Sequence, residues 1–308
     1  MLKIMICPIC SSNSVSHQSQ YRFNHSCFAN LNRVACKNCG LQFSNPMPNE
    51  QNLISYNNSY HLSAHGGFKR TTKQNAFFSA IAKTRMSFIK KYIDISESKD
   101  YKVLEVGPGP GVFLKVWMEY LPKTKYFVLE SDKNCYPILK NLGATILEIS
   151  NLKKINFKYD FLIISHVLEH VKDPIKFLSP FVGLLKKNGY AFIEVPCNDW
   201  EHKKIDEPHL LFFDKKPMSV LLKKLNVNPI KISYYGTPIK ELKNKKLNFY
   251  KKIGDYLRKL GVNLYHPERK YLKDSLFNNL EVNAILNFDA HKEQNVPSWW
   301  LRTIFKNT

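Results

Sequence analysis

From Lys102 to Tyr235 the chain changes repeatedly between two hydrophobic periods, and this alternation limits its fold more than any other feature. Short apolar runs at 103–106, 126–129, 144–147, 159–165, 190–195 and 229–235 read as buried strands. Segments with helical spacing separate most of them, including Val112 to Tyr120, Pro174 to Leu185 and Lys216 to Leu225. Strands of this length joined through helices predict an α/β fold, with a doubly wound, mostly parallel sheet covered on both faces.

The chain ahead of this region is of another kind. Residues 1–48 carry Cys7-Pro8-Ile9-Cys10 and Cys36-Lys37-Asn38-Cys39 and stop at the helix-breaking Asn45-Pro46-Met47-Pro48. Two knuckles of this spacing can bring four thiolates onto one tetrahedral ion, so Cys7, Cys10, Cys36 and Cys39 predict a closed, structural Zn2+ site in a small ribbon. A segment so poor in large apolar residues needs such a staple. His25 and Cys27, between the pairs, read as loop residues that could substitute as ligands, and Cys135 and Cys197 as ordinary thiols.

Residues 49–100 read as a helical connector or lid, with Tyr56, Tyr60, His61, His65, Gly66 and Gly67 ahead of a helix from Thr72 to Tyr92. Residues 101–236 form the core domain, and 237–308 a basic extension able to complete the sheet. In that extension Leu247 to Leu260 reads as a helix, Leu280 to Phe288 as an antiparallel strand, and Trp299, Trp300 and Phe305 as part of an amphipathic tail.

Lys+Arg 46 against Asp+Glu 25 gives 46 − 25 = +21, which favours anionic partners without choosing among nucleic acid, a membrane surface and phosphorylated small molecules. Ordinary hydrophobic and charged fractions, 44% and 23%, exclude a wholly disordered chain. No apolar run approaches the roughly 20 residues of a membrane span, so a soluble, cytoplasmic protein is expected, with peripheral membrane contact by the tail as an option.

The first core strand runs into Gly107-Pro108-Gly109-Pro110-Gly111 and then a helix. Glycines there let a ligand approach the backbone, and the helix start offers free N–H groups. Glu130 ends the next strand, where a carboxylate can grip a ribose diol. A dinucleotide fold would place its third glycine at 112, which is Val112.

Glu105-Val-Gly-Pro-Gly-Pro-Gly111 resembles the first motif of class I S-adenosylmethionine-dependent methyltransferases. The likeness continues through Tyr159-Asp160, His166-Val-Leu-Glu-His-Val-Lys-Asp-Pro174, Leu185-Lys-Lys-Asn-Gly189, Glu194-Val-Pro196 and Pro208-His-Leu-Leu-Phe-Phe213. The N-terminal segment is similar to a zinc ribbon found ahead of a subset of that family, which includes sugar methyltransferases and enzymes of polysaccharide and natural-product synthesis. The resemblance implies a Rossmann-like methyltransferase fold and S-adenosyl-L-methionine as cofactor. It implies that Gly107, Gly109 and Gly111 pack against the donor, with Glu105 at its amino group, Glu130 at the ribose hydroxyls, Glu148 near the adenine and His166 facing the cofactor.

Methylating a hydroxyl needs alignment and a base. His209 is the first candidate, in a loop crossing the carboxyl edge of the sheet, where the resemblance also places an acceptor-site histidine. His170 is the second, since His166 and His170 stand four apart, and Glu207 could orient a histidine. Glu169 reads as a cap or pairing residue. The leading expectation is transfer to a hydroxyl of a sugar or nucleotide-linked, phosphate-bearing sugar. The alternatives are an RNA methyltransferase and a non-catalytic binding protein of the same fold. Against RNA, the fourth strand ends Ile163-Ile164-Ser165-His166 without the Asn/Asp-Pro-Pro-Tyr/Phe signature of base-amine methylation, and lysine outnumbers the arginine suited to phosphate forks. Oligomeric state has no signature in the sequence.

Overall fold

A computed structural model describes residues 5–58, 70–244 and 277–308. The chain opens with strands β1 (Val15–Gln20), β2 (Asn32–Cys36) and β3 (Gln42–Asn45), then helices α1 (Glu50–Asn58) and α2 (Thr72–Tyr92). α2 starts at a capping box: Gln74 Oε1 accepts from Thr71 N–H at 2.8 Å and Thr71 Oγ1 from Gln74 N–H at 3.3 Å. Ala80, Ile81, Thr84, Phe88 and Ile89 recur at helical spacing and are buried.

The predicted alternation follows: β4 (Lys102–Val106), α3 (Val112–Tyr120), β5 (Lys125–Leu129), α4 (Tyr136–Asn141), β6 (Thr145–Ile146), β7 (Tyr159–Ser165), α5 (Pro174–Gly183) and β8 (Leu185–Pro196). Asp173 caps α5 by accepting from Lys176 N–H at 3.0 Å, and Pro174 supplies a preset first turn. After the short β9 (Leu211–Phe212) come α6 (Lys215–Lys224), β10 (Asn228–Pro238) and α7 (Ile239–Lys243). The described chain ends with α8 (Asn279–Asn287), β11 (Glu293–Gln294) and β12 (Ser298–Lys306).

Eight strands form the central sheet in the order β11-β10-β12-β8-β7-β4-β5-β6. β6, β5, β4, β7 and β8 are parallel, while β12 runs antiparallel to both β8 and β10. The fold is the expected Rossmann-like α/β architecture. Strand order reverses between β4 and β7, and at such a reversal the carboxyl ends of the strands open into a crevice.

Two sequence expectations are corrected. Leu280 to Phe288 is helical: Asn278 and Glu281 form a capping box, and Val282 and Ile285, three apart, are buried. Glu281 is also buried, where it pairs with Lys83 of α2 at 2.7 Å. The antiparallel strand is the aromatic segment read as a tail. In β12 Trp300, Leu301, Ile304 and Phe305 are all buried, so they offer no apolar face to a membrane surface. Each such side chain contributes roughly 1.5–3 kcal/mol by leaving water. No helix among the described residues is long and apolar enough to cross a membrane. Tyr60, His61, His65, Gly66, Gly67 and the expected helix 247–260 lie outside the described residues.

The second sheet has the order β1-β2-β3-β9, so a strand from far along the chain joins the N-terminal hairpins. Gln42 and Phe43 pair with Phe212 and Leu211, immediately beyond His209.

Candidate active site

β4 leaves the sheet through Gly107 and Gly111, whose φ values of 69° and 73° suit glycine. A Cβ on Gly107 would stand 2.4 Å from Val167 Cγ2, and one on Gly111 2.8 Å from Leu142 Cδ1, so the turn is tightly packed as well as left-handed. α3 follows with no side-chain cap on its first turn. This turn forms one wall of a cavity of about 490 Å3, with α2 contributing Phe77, Phe78 and Ile81 and β12 contributing Trp299 and Trp300.

Two carboxylates stand on that wall. Glu130 accepts from Gly109 N–H at 2.8 Å and Asp132 N–H at 2.9 Å; burial pushes its pKa up and these amides only partly pull it back. Glu105, buried in β4, accepts from the Tyr126 hydroxyl at 2.8 Å and is pushed up to about 7 by burial. Buried acids of raised pKa lack enough donors or cations around them. An ammonium group and a ribose diol would supply both. The cavity volume is in the range of cofactor pockets. Glu148 lies elsewhere: it follows β6, is exposed, and does not line this cavity.

A further part of the lining carries His166, His170 and His209. His166 follows the end of β7 with φ 56°, its Nε2 lying 3.1 Å from Glu194 Oε1 and its Nδ1 3.4 Å from Glu169 Oε1. Burial opposes its protonation, but these two carboxylates outweigh burial and raise its pKa. Glu194 is fixed in turn by Arg85 Nε at 2.8 Å and Arg302 Nε at 2.6 Å, and the two guanidiniums hold it well below the usual carboxylate range despite its burial.

Residues 168–170 form a single 3-10 turn, so His166 and His170 do not share a helix face; they flank Glu169 instead. Around the buried Glu169 Oε1 stand His170 Nε2 at 3.7 Å and His209 Nε2 at 4.0 Å. Against its own burial the histidines bring Glu169 down to about 2, while burial pushes His170 down to about 4. His209 Nδ1 lies 2.7 Å from Asp199 Oδ2, and His170 Nδ1 lies 3.3 Å from the Pro208 carbonyl. The two rings meet edge to face at 5.0 Å.

Glu207 is placed apart from this part of the lining, accepting from the backbone N–H groups of Asn24 and His25 at 2.6 and 2.8 Å. The carboxylate that orients His209 is Asp199, which sequence reasoning missed because no motif joins two loop residues ten apart. Glu169 was read only as a pairing residue. Its position between two histidines was the available signal.

In the N-terminal sheet Cys7 Sγ lies 3.5 Å from Cys39 Sγ, and Cys10 Sγ 3.4 Å from Cys36 Sγ, with no disulfide among them. Zn–S bonds of about 2.3 Å give a tetrahedral edge of roughly 3.8 Å, so the four thiols fit one Zn2+ with small adjustment. His25 is engaged otherwise, its Nδ1 accepting from Cys27 N–H at 3.1 Å, and neither residue belongs to this cluster.

A family model described as a methyltransferase domain matches residues 68–235, more than half of the chain. The chain belongs to this methyltransferase family. It is an S-adenosylmethionine-dependent enzyme, as the sequence motifs implied. The methyltransferase is 24% identical over 246 residues to the ribosomal RNA small subunit methyltransferase A of Mycoplasma capricolum, covering 69% of this chain and 86% of that one. It is 23% identical over 237 residues to the tRNA U34 carboxymethyltransferase of Campylobacter fetus, covering 72% and 76%. Among solved structures it is similar to the phosphoethanolamine N-methyltransferase 2 of Haemonchus contortus, with TM-score 0.48, 12% identity, and 93% and 71% of the two chains covered. A methyltransferase of Thermotoga maritima gives TM-score 0.46 and 13% identity over 75% and 91%.

Proposed function

We propose that this methyltransferase moves a methyl group to a hydroxyl of a small acceptor, a sugar or a nucleotide-linked sugar, seated against the Glu169–His170–His209 wall. The observation that carries the reading is that this wall and the glycine turn with Glu105 and Glu130 line one cavity. Bound there, S-adenosylmethionine supplies an electrophilic methyl group. Gly107 and Gly109, which line the cavity, would lie along it, Glu130 would hold its ribose hydroxyls and Glu105 its ammonium group, while Gly111, expected beside them, does not line the cavity and packs against Leu142 and Leu139.

The remaining work falls to the protein's own residues. Phe77, Phe78 and Trp299 give the cavity an apolar side, which strengthens the electrostatic contacts beside it. Asp199 fixes the His209 ring so that Nε2 faces the cavity side, and the Pro208 carbonyl does the same for His170. A hydroxyl placed between these nitrogens and Glu169 sits where its proton is most readily released. Support for a sugar comes from the N-terminal ribbon and the stretch around His209, which resemble those of sugar methyltransferases, and the net charge of +21 suits a phosphate-bearing acceptor.

RNA is the second reading, favoured by the two relatives whose names place them on ribosomal and transfer RNA. A labelled-methyl transfer screen across nucleotide sugars, free sugars and bulk RNA decides between them. Label in a sugar fraction supports the first reading; label in RNA alone replaces it with the second.

A further inference from the structure

We propose that Glu169, His170 and His209 bind a divalent metal ion, and that the acceptor hydroxyl is activated by joining it as a further ligand. The inference deepens the proposed function and rests on it for the acceptor.

Geometry comes first. One ligand atom from each of the three residues lies within 4.8 Å of the others. Bonds of about 2.0–2.2 Å to nitrogen and oxygen place two donors on one ion roughly 3–4 Å apart. His170 Nε2 and His209 Nε2 stand 3.7 and 4.0 Å from Glu169 Oε1, so the cluster needs little contraction to close on an ion.

The carboxylate supplies an independent observation. Glu169 is 1% exposed, and neither of its oxygens accepts a well-formed hydrogen bond. A buried carboxylate is expensive unless cations compensate it, and a contact of 3.4 Å to an imidazole shared with Glu194 leaves room for a further one. Among the described residues its nearest cationic partner is His166, at 3.4 Å and shared with Glu194, while Lys203 bonds Asp199 at 2.7 Å and Arg85 and Arg302 bond Glu194.

The far sides of the rings complete the case. A carbonyl oxygen only accepts, so His170 carries its proton on Nδ1 toward Pro208 and its lone pair on Nε2. Asp199 imposes the same tautomer on His209. Metal-binding histidines are held in this way, the outer nitrogen donating to a carboxylate or carbonyl and the inner one facing the ion. Two imidazoles and one carboxylate without thiolate suit a borderline cation such as Zn2+ or Co2+, with Mn2+ a weaker spectroscopic probe of the same site, and leave coordination positions open.

Such an ion lowers the pKa of a bound hydroxyl by several units. The hydroxyl proton passes to water, and an oxygen electron pair forms the new O–CH3 bond. The S–CH3 bond breaks with its electron pair left on sulfur, which becomes a neutral thioether. His209 then acts as a ligand and does not itself remove the proton.

The test is metal binding by the purified full chain, with Zn2+ counted by elemental analysis and Mn2+ titrated by paramagnetic resonance. The expected result is two Zn2+ per chain, one in the cysteine cluster, and one saturable Mn2+ site in chain prepared with a single Zn2+. Glu169→Gln and His170→Gln should each weaken Mn2+ at least tenfold. Asp199→Asn, which acts only through His209, should weaken it about 10–100-fold. Melting curves identify any variant that has unfolded. One Zn2+ per chain with no saturable Mn2+, or Mn2+ affinity indifferent to all three variants, overturns the metal site. If the wild type also binds the donor and transfers methyl at full rate in chelator, the proposed function stands and only the ion is wrong. Failure to bind the donor would instead remove the proposed function.

Discussion

The Tyr21 hydroxyl donates to the backbone carbonyl of His209 at 2.9 Å, joining residues 188 apart in the chain. Neighbouring contacts act in the same sense. Ser44 N–H donates to the Leu210 carbonyl at 2.8 Å, and Leu210 N–H to that of Glu169 at 2.7 Å. Arg22 pairs with Asp206. The cysteine-bearing sheet therefore serves as the outer support of the loop that carries His209.

Loosening that support should damage the acceptor side before the donor side. Cys36→Ser is expected to cut methyl transfer at least tenfold while donor affinity stays within about threefold. Tyr21→Phe, losing one buried hydrogen bond, should cost about 0.5–1.5 kcal/mol of stability. Parallel donor titrations and transfer assays check the first and chemical denaturation the second; equal losses on the donor and acceptor sides would mean that the ribbon supports the whole domain.

Glu105 predicts a pH dependence. Its folded pKa of about 7 lies above its ordinary value of 4.5, so the folded state favours the neutral acid. Its contribution to stability is thus complete below about pH 4.5 and is lost as pH rises through 7. An ammonium ligand needs the ionised form, so donor affinity should rise with pH, by up to tenfold per unit below about 7, and then level. Glu105→Gln should flatten that rise in titrations from pH 5.5 to 8. A wild-type profile that is already flat would place the ammonium elsewhere.

Arg302 is fully buried, bonds Glu194, donates to the Thr84 carbonyl and hydroxyl at 3.0 Å each, and stacks over Tyr235 at 3.8 Å. Arg302→Met leaves Glu194 with one guanidinium fewer and should cost on the order of 3–5 kcal/mol. Arg302→Lys should recover little, because an ammonium cannot span these partners with a planar fork. Thermal denaturation measures both; a melting temperature unchanged in Arg302→Met would show the pair to be dispensable.

The sequence carried the parallel core clearly because strands and helices there differ in period, and Val112–Tyr120 and Tyr159–Ser165 were readable to the residue. It misled at the carboxyl end. Asn279–Asn287 mixes β-branched and polar residues on a short helix whose capping box is the stronger signal. Glycine and cysteine spacing announced two parts of the molecule. The Asp199–His209 contact and the burial of Glu169 among histidines depend on loops meeting in space, which no local pattern encodes.

Donor binding tests the account at its centre. Titrating the full-length chain with S-adenosylmethionine should give one site per chain. Glu130→Ala, which removes charge-assisted bonds worth roughly 1.5–3 kcal/mol each, should weaken that site at least tenfold. A wild-type chain that takes up no donor, or a Glu130→Ala chain that binds it as tightly as the wild type, would contradict the assignment of this cavity.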